Sequence, residues 1–264
     1  MIMSFDNTGA DHSTTPTAQP MTGLIDLTGR TVIVTGASSG IGASVARRLH
    51  AEGAHPVLAA RRANRLAALS EELDGALAIP TDVTDPVQLR ALVAATLDRH
   101  HRIDGLVNNA GASLNGPLDR VDPAEFTSIL QLNVVSLLAT TQAVLPAMRS
   151  QAFGRIVNIS SGTTRRAAVG LGAYAASKSA VNMLSSVLTH ELADDGIAVS
   201  LLLPSITATE FGDSMFTLGA SPRPGMVVHS PDYVADFVVR LLRTGEETFD
   251  IPHGPEQPEH APYR

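Results

Sequence analysis

Tyr174-Ala-Ala-Ser-Lys178 sets a phenol and an ammonium four residues apart at the start of an apparent helix. Residues i and i+4 share a helix face, so both groups can act at one place. An adjacent positive charge favours phenolate and lowers a tyrosine's pKa towards working pH, which makes Tyr174 a candidate general acid/base. Lys178 is the only lysine; the rest of the 19 basic residues are arginine, and Tyr174 is one of three tyrosines. A planar, larger guanidinium would place its charge differently, so a lysine at this one position of an arginine-rich chain argues for a role. The plain alternative is a surface lysine one turn beyond a helix-start tyrosine, since i, i+4 pairs also arise by chance.

A second stretch suits an anion. In Thr35-Gly-Ala-Ser-Ser-Gly-Ile-Gly42, the residues Gly36, Gly40 and Gly42 follow a G-x-x-x-G-x-G spacing, with Ser38, Ser39 and Ile41 between them. A dinucleotide site needs one glycine for a tight turn, another so that backbone N–H groups approach a pyrophosphate, and a third for close helix–strand packing. The helix N-terminus that follows then faces the anion. A glycine-rich turn without a ligand is the competing reading. Beyond the next apolar run stands Ala60-Arg61-Arg62, with no acid to bond a ribose 2′-hydroxyl. That favours NADP, and NADPH over NADH, with Arg61 and Arg62 as partners of the 2′-phosphate; solvated arginines opening a helix are the alternative. Asp82, next to Val83, is placed to meet the adenine amine.

These groups need a scaffold, and the patterning supplies one. Thr31–Thr35, Pro56–Ala60, Ala76–Pro80, Gly105–Asn108, Arg155–Ser160 and Ala198–Leu203 are short apolar runs typical of strands buried on both faces, and Phe249–Ile251 is a weak last one. Helical segments alternate with them: Ala43–Glu52, Asn64–Leu73, one opened by Asp85-Pro86, Pro123–Arg149 interrupted or ended near Pro146, Tyr174–Ala193, and Pro231–Arg243. The alternation predicts a single α/β domain over residues 27–252: a doubly wound parallel sheet of Rossmann type, in three α/β/α layers. Residues 1–26 and 253–264 read as tails. The aperiodic stretch 205–230 is long for a compact domain and reads as a functional loop.

Taken in order, Thr35–Gly42, Asn108-Asn109-Ala110-Gly111, Asn133, Ser161 thirteen residues before Tyr174, and Lys178 closely resemble the short-chain dehydrogenase/reductase family over about Leu27–Ile251. The resemblance implies an oxidoreductase moving a hydride between NADP(H) and a carbonyl or alcohol. Tyr174 would exchange the proton at the substrate oxygen, and Ser161 would hydrogen-bond that oxygen. Lys178 would bind the nicotinamide ribose and depress the Tyr174 pKa. Asn133 would hold a relay water; a buried asparagine bonding backbone is its alternative. The Asn108–Gly111 segment would support the cofactor and the central strand. Ser160 competes for the serine role, but the spacing selects Ser161. Pro204-Ser-Ile-Thr-Ala-Thr209 resembles the family's Pro-Gly segment, with Pro204, Ile206, Thr207 and Thr209 towards the cofactor. Ser205 stands where glycine is usual, which questions the local turn.

Composition narrows the rest. A net charge of −7 argues against nucleic acid or an anionic membrane surface as partner. The absence of cysteine excludes disulfides and thiolate chemistry. No apolar run reads as membrane-spanning, and no basic start with an apolar stretch reads as a secretory signal, so a cytoplasmic protein is expected. No His pair has metal-ligand spacing, so no metal is expected. Phe211, Met215, Phe216, Leu218 and Met226 give the 205–230 loop an apolar character suited to a partly hydrophobic substrate, with Phe211 and Met215 as contacts, or to ordinary packing. Arg165 and Arg166 read as surface arginines with an anionic substrate group as the alternative. Val134–Val144 and Val181–Leu188 are apolar enough for a helix interface, so a homodimer or homotetramer is expected. A non-catalytic nucleotide sensor on the same fold is the rival function; it would need the glycine turn but not the Tyr–Lys pair.

Overall fold

The apolar run at residues 31–35 alternates its side chains between two cores. Val32 and Val34 pack with one helix layer, and Ile33 with the other. The computed structural model describes residues 24–212 and 227–251. Its strands are β1 (Thr31–Thr35), β2 (His55–Ala60), β3 (Ala78–Pro80), β4 (Gly105–Asn108), β5 (Gly154–Ile159), β6 (Ile197–Leu203) and β7 (Thr248–Asp250). They form one parallel sheet in the order β3-β2-β1-β4-β5-β6-β7. The helices are α1 (Gly40–Ala51), α2 (Ala63–Glu72), α3 (Pro86–His100), α4 (Pro123–Leu130), α5 (Ser136–Ser150), α6 (Gly172–Glu191) and α7 (Pro231–Thr244). Residues of α1, α2 and α7 fill one core, and residues of α3, α5 and α6 fill the other. This is the doubly wound three-layer fold expected from the alternation.

The chain winds outward from β1 to β3, then returns to place β4 on the other side of β1. The loops leaving β1 and β4 therefore diverge, and the crevice at their carboxyl ends is where such sheets bind ligands. Asp85 caps α3 as expected, its carboxylate accepting from Val87 N at 2.8 Å with Pro86 at the first helical position.

The structure corrects several sequence expectations. Pro146 does not end its helix: α5 runs through it to Ser150. Pro146 and Gln142, whose carbonyl it frees, are both exposed, so water can satisfy that carbonyl. The irregularity lies earlier, in a π-helical turn at Gln131–Val135 that joins α4 to α5. The combined run Pro123–Ser150 is long and apolar enough to cross a membrane by length and composition, contrary to the sequence reading. Scattered Ser, Thr, Asn and Gln mask that apolarity, and α5, the second part of the run, packs against α3, β4 and β5. At the N-terminus the expected tail is shorter than residues 1–26: Ile25 packs on the core and its N–H donates to Arg243 O at 3.1 Å. Residues 1–23 and 253–264, expected as tails, lie outside the described residues.

Candidate active site

The floor of the crevice is stitched by one hydroxyl. Thr35, the last residue of β1, donates from Oγ1 to Val107 O at 3.1 Å and accepts from the N–H groups of Asn109 and Ala110 at 3.0 and 3.1 Å. Asn109 returns the contact, its Nδ2 donating to Thr35 O at 2.9 Å. The glycine turn rests on this floor. Gly36 has φ +67°, and a Cβ there would lie 2.8 Å from Asn109 Nδ2. A Cβ on Gly42 would lie 2.4 Å from Gly36 O, so only glycine lets α1 start this close to the turn. Ser39 caps α1 without a side-chain bond to the helix, and its first turn carries no acid. The first N–H groups of α1 are thus left for an anion, which fits a pyrophosphate.

The two serines of the turn face the arginines after β2. Arg62 donates from Nε to Ser38 Oγ at 3.0 Å and from Nη2 to Ser39 Oγ at 2.5 Å. Arg61 is exposed. Asp82 Oδ1 accepts from Thr84 Oγ1 and N at 2.7 and 2.9 Å, and these bonds hold its carboxyl below the usual range. Val83 beside it is buried.

At the carboxyl end of β5 the chain turns at Ser161. Its Oγ caps a short 3-10 turn, accepting from Thr163 N at 3.2 Å and from Thr163 Oγ1 at 2.9 Å. Tyr174, near the start of α6, is buried, and Ser161 acts on its phenol to lower its pKa against the effect of burial. Ser160, by contrast, turns its hydroxyl to Asn182 Oδ1, which leaves Ser161 as the serine at the phenol. One turn along α6 the Lys178 ammonium is buried, donating to Ile159 O at 2.8 Å and lying 6.0 Å from the centre of the Tyr174 ring.

Asn133, in the π-turn, accepts from Ala112 N at 2.9 Å and donates to Ala112 O at 2.9 Å and Ser177 Oγ at 3.0 Å. Both Asn133 and Lys178 face Gly111: a Cβ there would sit 3.0 Å from Asn133 Oδ1 and 3.7 Å from Lys178 Nζ. Ser161, Tyr174, Lys178, Asn133 and the Asn109–Gly111 segment are therefore gathered in one crevice.

The electrostatics differ from expectation. Burial pushes the Tyr174 phenol up to about 12, with the Ser161 hydrogen bond acting the other way. The lowered phenol pKa expected from the Tyr–Lys spacing is not found: burial of the phenol outweighs the effect of Ser161, and the ammonium is bonded to Ile159 O. Burial also pushes Lys178 down to about 8.

After β6, Pro204 is buried, and residues 206–208 pair with His229: His229 N donates to Ile206 O at 2.8 Å and Ala208 N to His229 O at 2.9 Å. Thr207 Oγ1 donates to Ser205 O at 3.1 Å. Ser205 has no positive φ, so serine at this position does not strain the turn. Thr209 reaches the glycine turn, its Cγ2 lying 2.9 Å from where a Cβ on Gly40 would stand. Phe211, 43% exposed, sets its ring 5.7 Å from that of Tyr174. Met215, Phe216, Leu218 and Met226 lie outside the described residues. Arg165 is paired with Asp250 at 3.0 Å, and Arg166 is exposed. Among the described residues no group of three or more His, Asp or Glu side chains could hold a metal.

Sequence reasoning missed Thr163, Arg65, Ser177 and Glu210. Arg65 could have been found, since it falls three residues after Arg62 on one helix face. Glu210 carried no signal, because its loop has no periodicity.

The profile of the short chain dehydrogenase family matches residues 30–217. An uncharacterized oxidoreductase of Staphylococcus haemolyticus is 33% identical over 221 residues, 83% of this chain and 93% of that protein. A ketoacyl reductase of a Nostoc species is 34% identical over 224 residues, 83% of this chain and 77% of that protein. Among solved structures, the 3-ketoacyl-(acyl-carrier-protein) reductase of Brucella melitensis complexed with NADH aligns with a TM-score of 0.80 at 26% identity, covering 88% of this chain and all of that one.

Proposed function

This chain belongs to the short-chain dehydrogenase family and is an oxidoreductase of it, and from that premise we propose that it interconverts a carbonyl and an alcohol using NADP(H), with Tyr174 as the general acid/base. The observation that carries this reading is the buried Tyr174 phenol with Ser161 acting on it and Lys178 buried one turn along the same helix, 6.0 Å from the ring centre.

The residues present fit the cofactor. Gly36, Ser38, Ser39, Gly40, Ile41 and Gly42 would hold the pyrophosphate, and Arg61 and Arg62 the 2′-phosphate. Asp82 and Val83 would meet the adenine; Asn109, Ala110 and Gly111 would line the middle of the site. Tyr174 and Lys178 would meet the nicotinamide ribose, and Pro204, Ile206, Thr207 and Thr209 the nicotinamide end. A bound nicotinamide supplies or accepts the hydride. NADPH is preferred in this reading because two arginines and no acid follow β2; the Brucella structure holds NADH.

Around that group the chain's own residues handle the proton. The Tyr174 phenol, pushed up to about 12 by burial, is protonated at neutral pH and would be the proton donor to a carbonyl oxygen as carbon gains hydride. Thr163 donates to Ser161 Oγ, which orients the Ser161 proton towards an acceptor in the crevice. The Lys178 ammonium, charged below about pH 8 and held by Ile159 O, would meet the nicotinamide ribose beside the phenol. The Phe211 ring packs 5.7 Å from that of Tyr174. A ketone or ketoacyl substrate is supported by the names of the Nostoc and Brucella proteins. Homodimeric or homotetrameric assembly and a cytoplasmic setting belong to the same proposal; Val135, Met183 and Val187, exposed on the helices expected to associate, support the assembly.

The test is NADPH oxidation by the purified protein with a panel of ketones and ketoacyl thioesters, comparing wild type with Tyr174→Phe. Turnover should fall about 100-fold or more while NADPH binding survives. Binding without any Tyr174-dependent turnover would instead favour a nucleotide sensor.

A further inference from the structure

Arg62 and Arg65 stand on one face at the start of α2, and both reach across the crevice to Glu210. Arg62 Nη1 donates to Glu210 Oε2 at 3.0 Å; Arg65 Nη1 lies 2.9 and 2.7 Å from Oε1 and Oε2. The other nitrogens of Arg62 are held by Ser38 and Ser39. The two arginines hold the Glu210 carboxyl below the usual carboxylate range, so it is ionised at neutral pH. A carboxylate thus sits on Arg62, which bonds both serines of the glycine turn, and on Arg65 beside it.

We propose that Glu210 sets the dinucleotide preference by competing with the ribose 2′-phosphate for Arg62 and Arg65. This rests on the cofactor reading above and adds to it a residue that opposes NADPH. All three side chains are substantially exposed, so these ion pairs are screened and readily exchanged. A phosphate dianion offers the same forks stronger, bidentate bonds, and it repels the carboxylate it displaces. NADH makes no such demand and leaves the Glu210 clasp closed. The flanking residues extend the consequence: Thr209 touches the glycine turn at Gly40 and Phe211 faces Tyr174. Displacing Glu210 therefore loosens the segment that lies over the phenol.

The experiment measures Kd for NADPH and NADH with the full chain, for wild type, Glu210→Gln, Glu210→Ala and Arg65→Gln. Removing the carboxylate should tighten NADPH about three- to tenfold, the range of one or two exposed charge pairs, and leave NADH nearly unchanged. Arg65→Gln should weaken NADPH and spare NADH. A structural role for Glu210 alone would move both dinucleotides together. Parallel changes, no change, or weaker NADPH binding in both Glu210 variants overturn the competition while the cofactor reading stands. Failure of the wild-type chain to bind either dinucleotide overturns both.

Discussion

Lys178 carries a cost that should be measurable as a pH dependence of stability. Burial lowers its pKa from 10.5 to about 8, so protonating it is harder in the folded chain than in the unfolded one. Below pH 8 the lysine is charged in both states, and the full penalty applies. At 1.36 kcal/mol per pKa unit, that penalty is about 3 kcal/mol at neutral pH. Between pH 8 and 10.5 the unfolded chain binds more protons than the folded one, so stability rises with pH and the penalty fades. Lys178→Met removes the titrating group and keeps a similar volume. It also loses the bond to Ile159 O, an offset that does not change with pH. The quantity to follow is therefore the stability difference between variant and wild type in urea, at pH 7 and pH 9. Wild type should gain about 1 kcal/mol on Lys178→Met across that interval. Tyr174 does not confuse the comparison, because its folded pKa is raised: its contribution is lost only above the unfolded value near 10, and both proteins share it. A difference that stays flat from pH 7 to pH 9 would refute the placement of a desolvated ammonium here.

Other outcomes follow from the same geometry. Thr163→Val removes the hydroxyl that donates to Ser161 Oγ and should lower kcat about three- to tenfold, with KM little changed; a shift in KM alone would contradict an orienting role. Asp104 is buried between Arg30, Arg102 and Thr31 N. Burial pushes its carboxyl up, but Arg102, Thr31 and Arg30 together outweigh this and hold it below the usual range. Its stabilising effect is thus present above its unfolded pKa and lost as pH falls through the lower folded value. Asp104→Asn should cost about 2 kcal/mol at pH 7 in chemical denaturation, narrowing as pH drops below about 4; a gap constant with pH would count against the ionised pairing.

The parts of this molecule that were readable from sequence were those governed by short-range rules. Val32-Ile33-Val34 had to be buried on both faces, and Asp85-Pro86 had to open a helix. The choice of Ser161 over Ser160 came from the spacing that the family resemblance implies. What escaped depended on neighbours remote in sequence. Pro146 breaks no helix because it falls on a solvent face, which periodicity near a proline does not reveal. The raised phenol pKa depends on how deeply Tyr174 is buried, which no local spacing reveals. Glu210 meets Arg62 and Arg65 from nearly the other end of the chain, through a loop with no pattern to read.

The π-turn at Gln131–Val135 bears on the rotational phase of its helix. Ile129, Asn133, Leu137 and Thr141 are all buried, each four residues after the last. A regular α-helix would rotate by about 120° over those twelve residues, carrying one end of the stripe away from the core. The wide turn absorbs most of that excess. Eleven residues would have kept Ile129 and Thr141 in phase without distortion. The twelfth does nothing for apolar burial; it brings a polar side chain inward to Ala112 and Ser177, and so marks where this helix was shaped by its crevice rather than by its core.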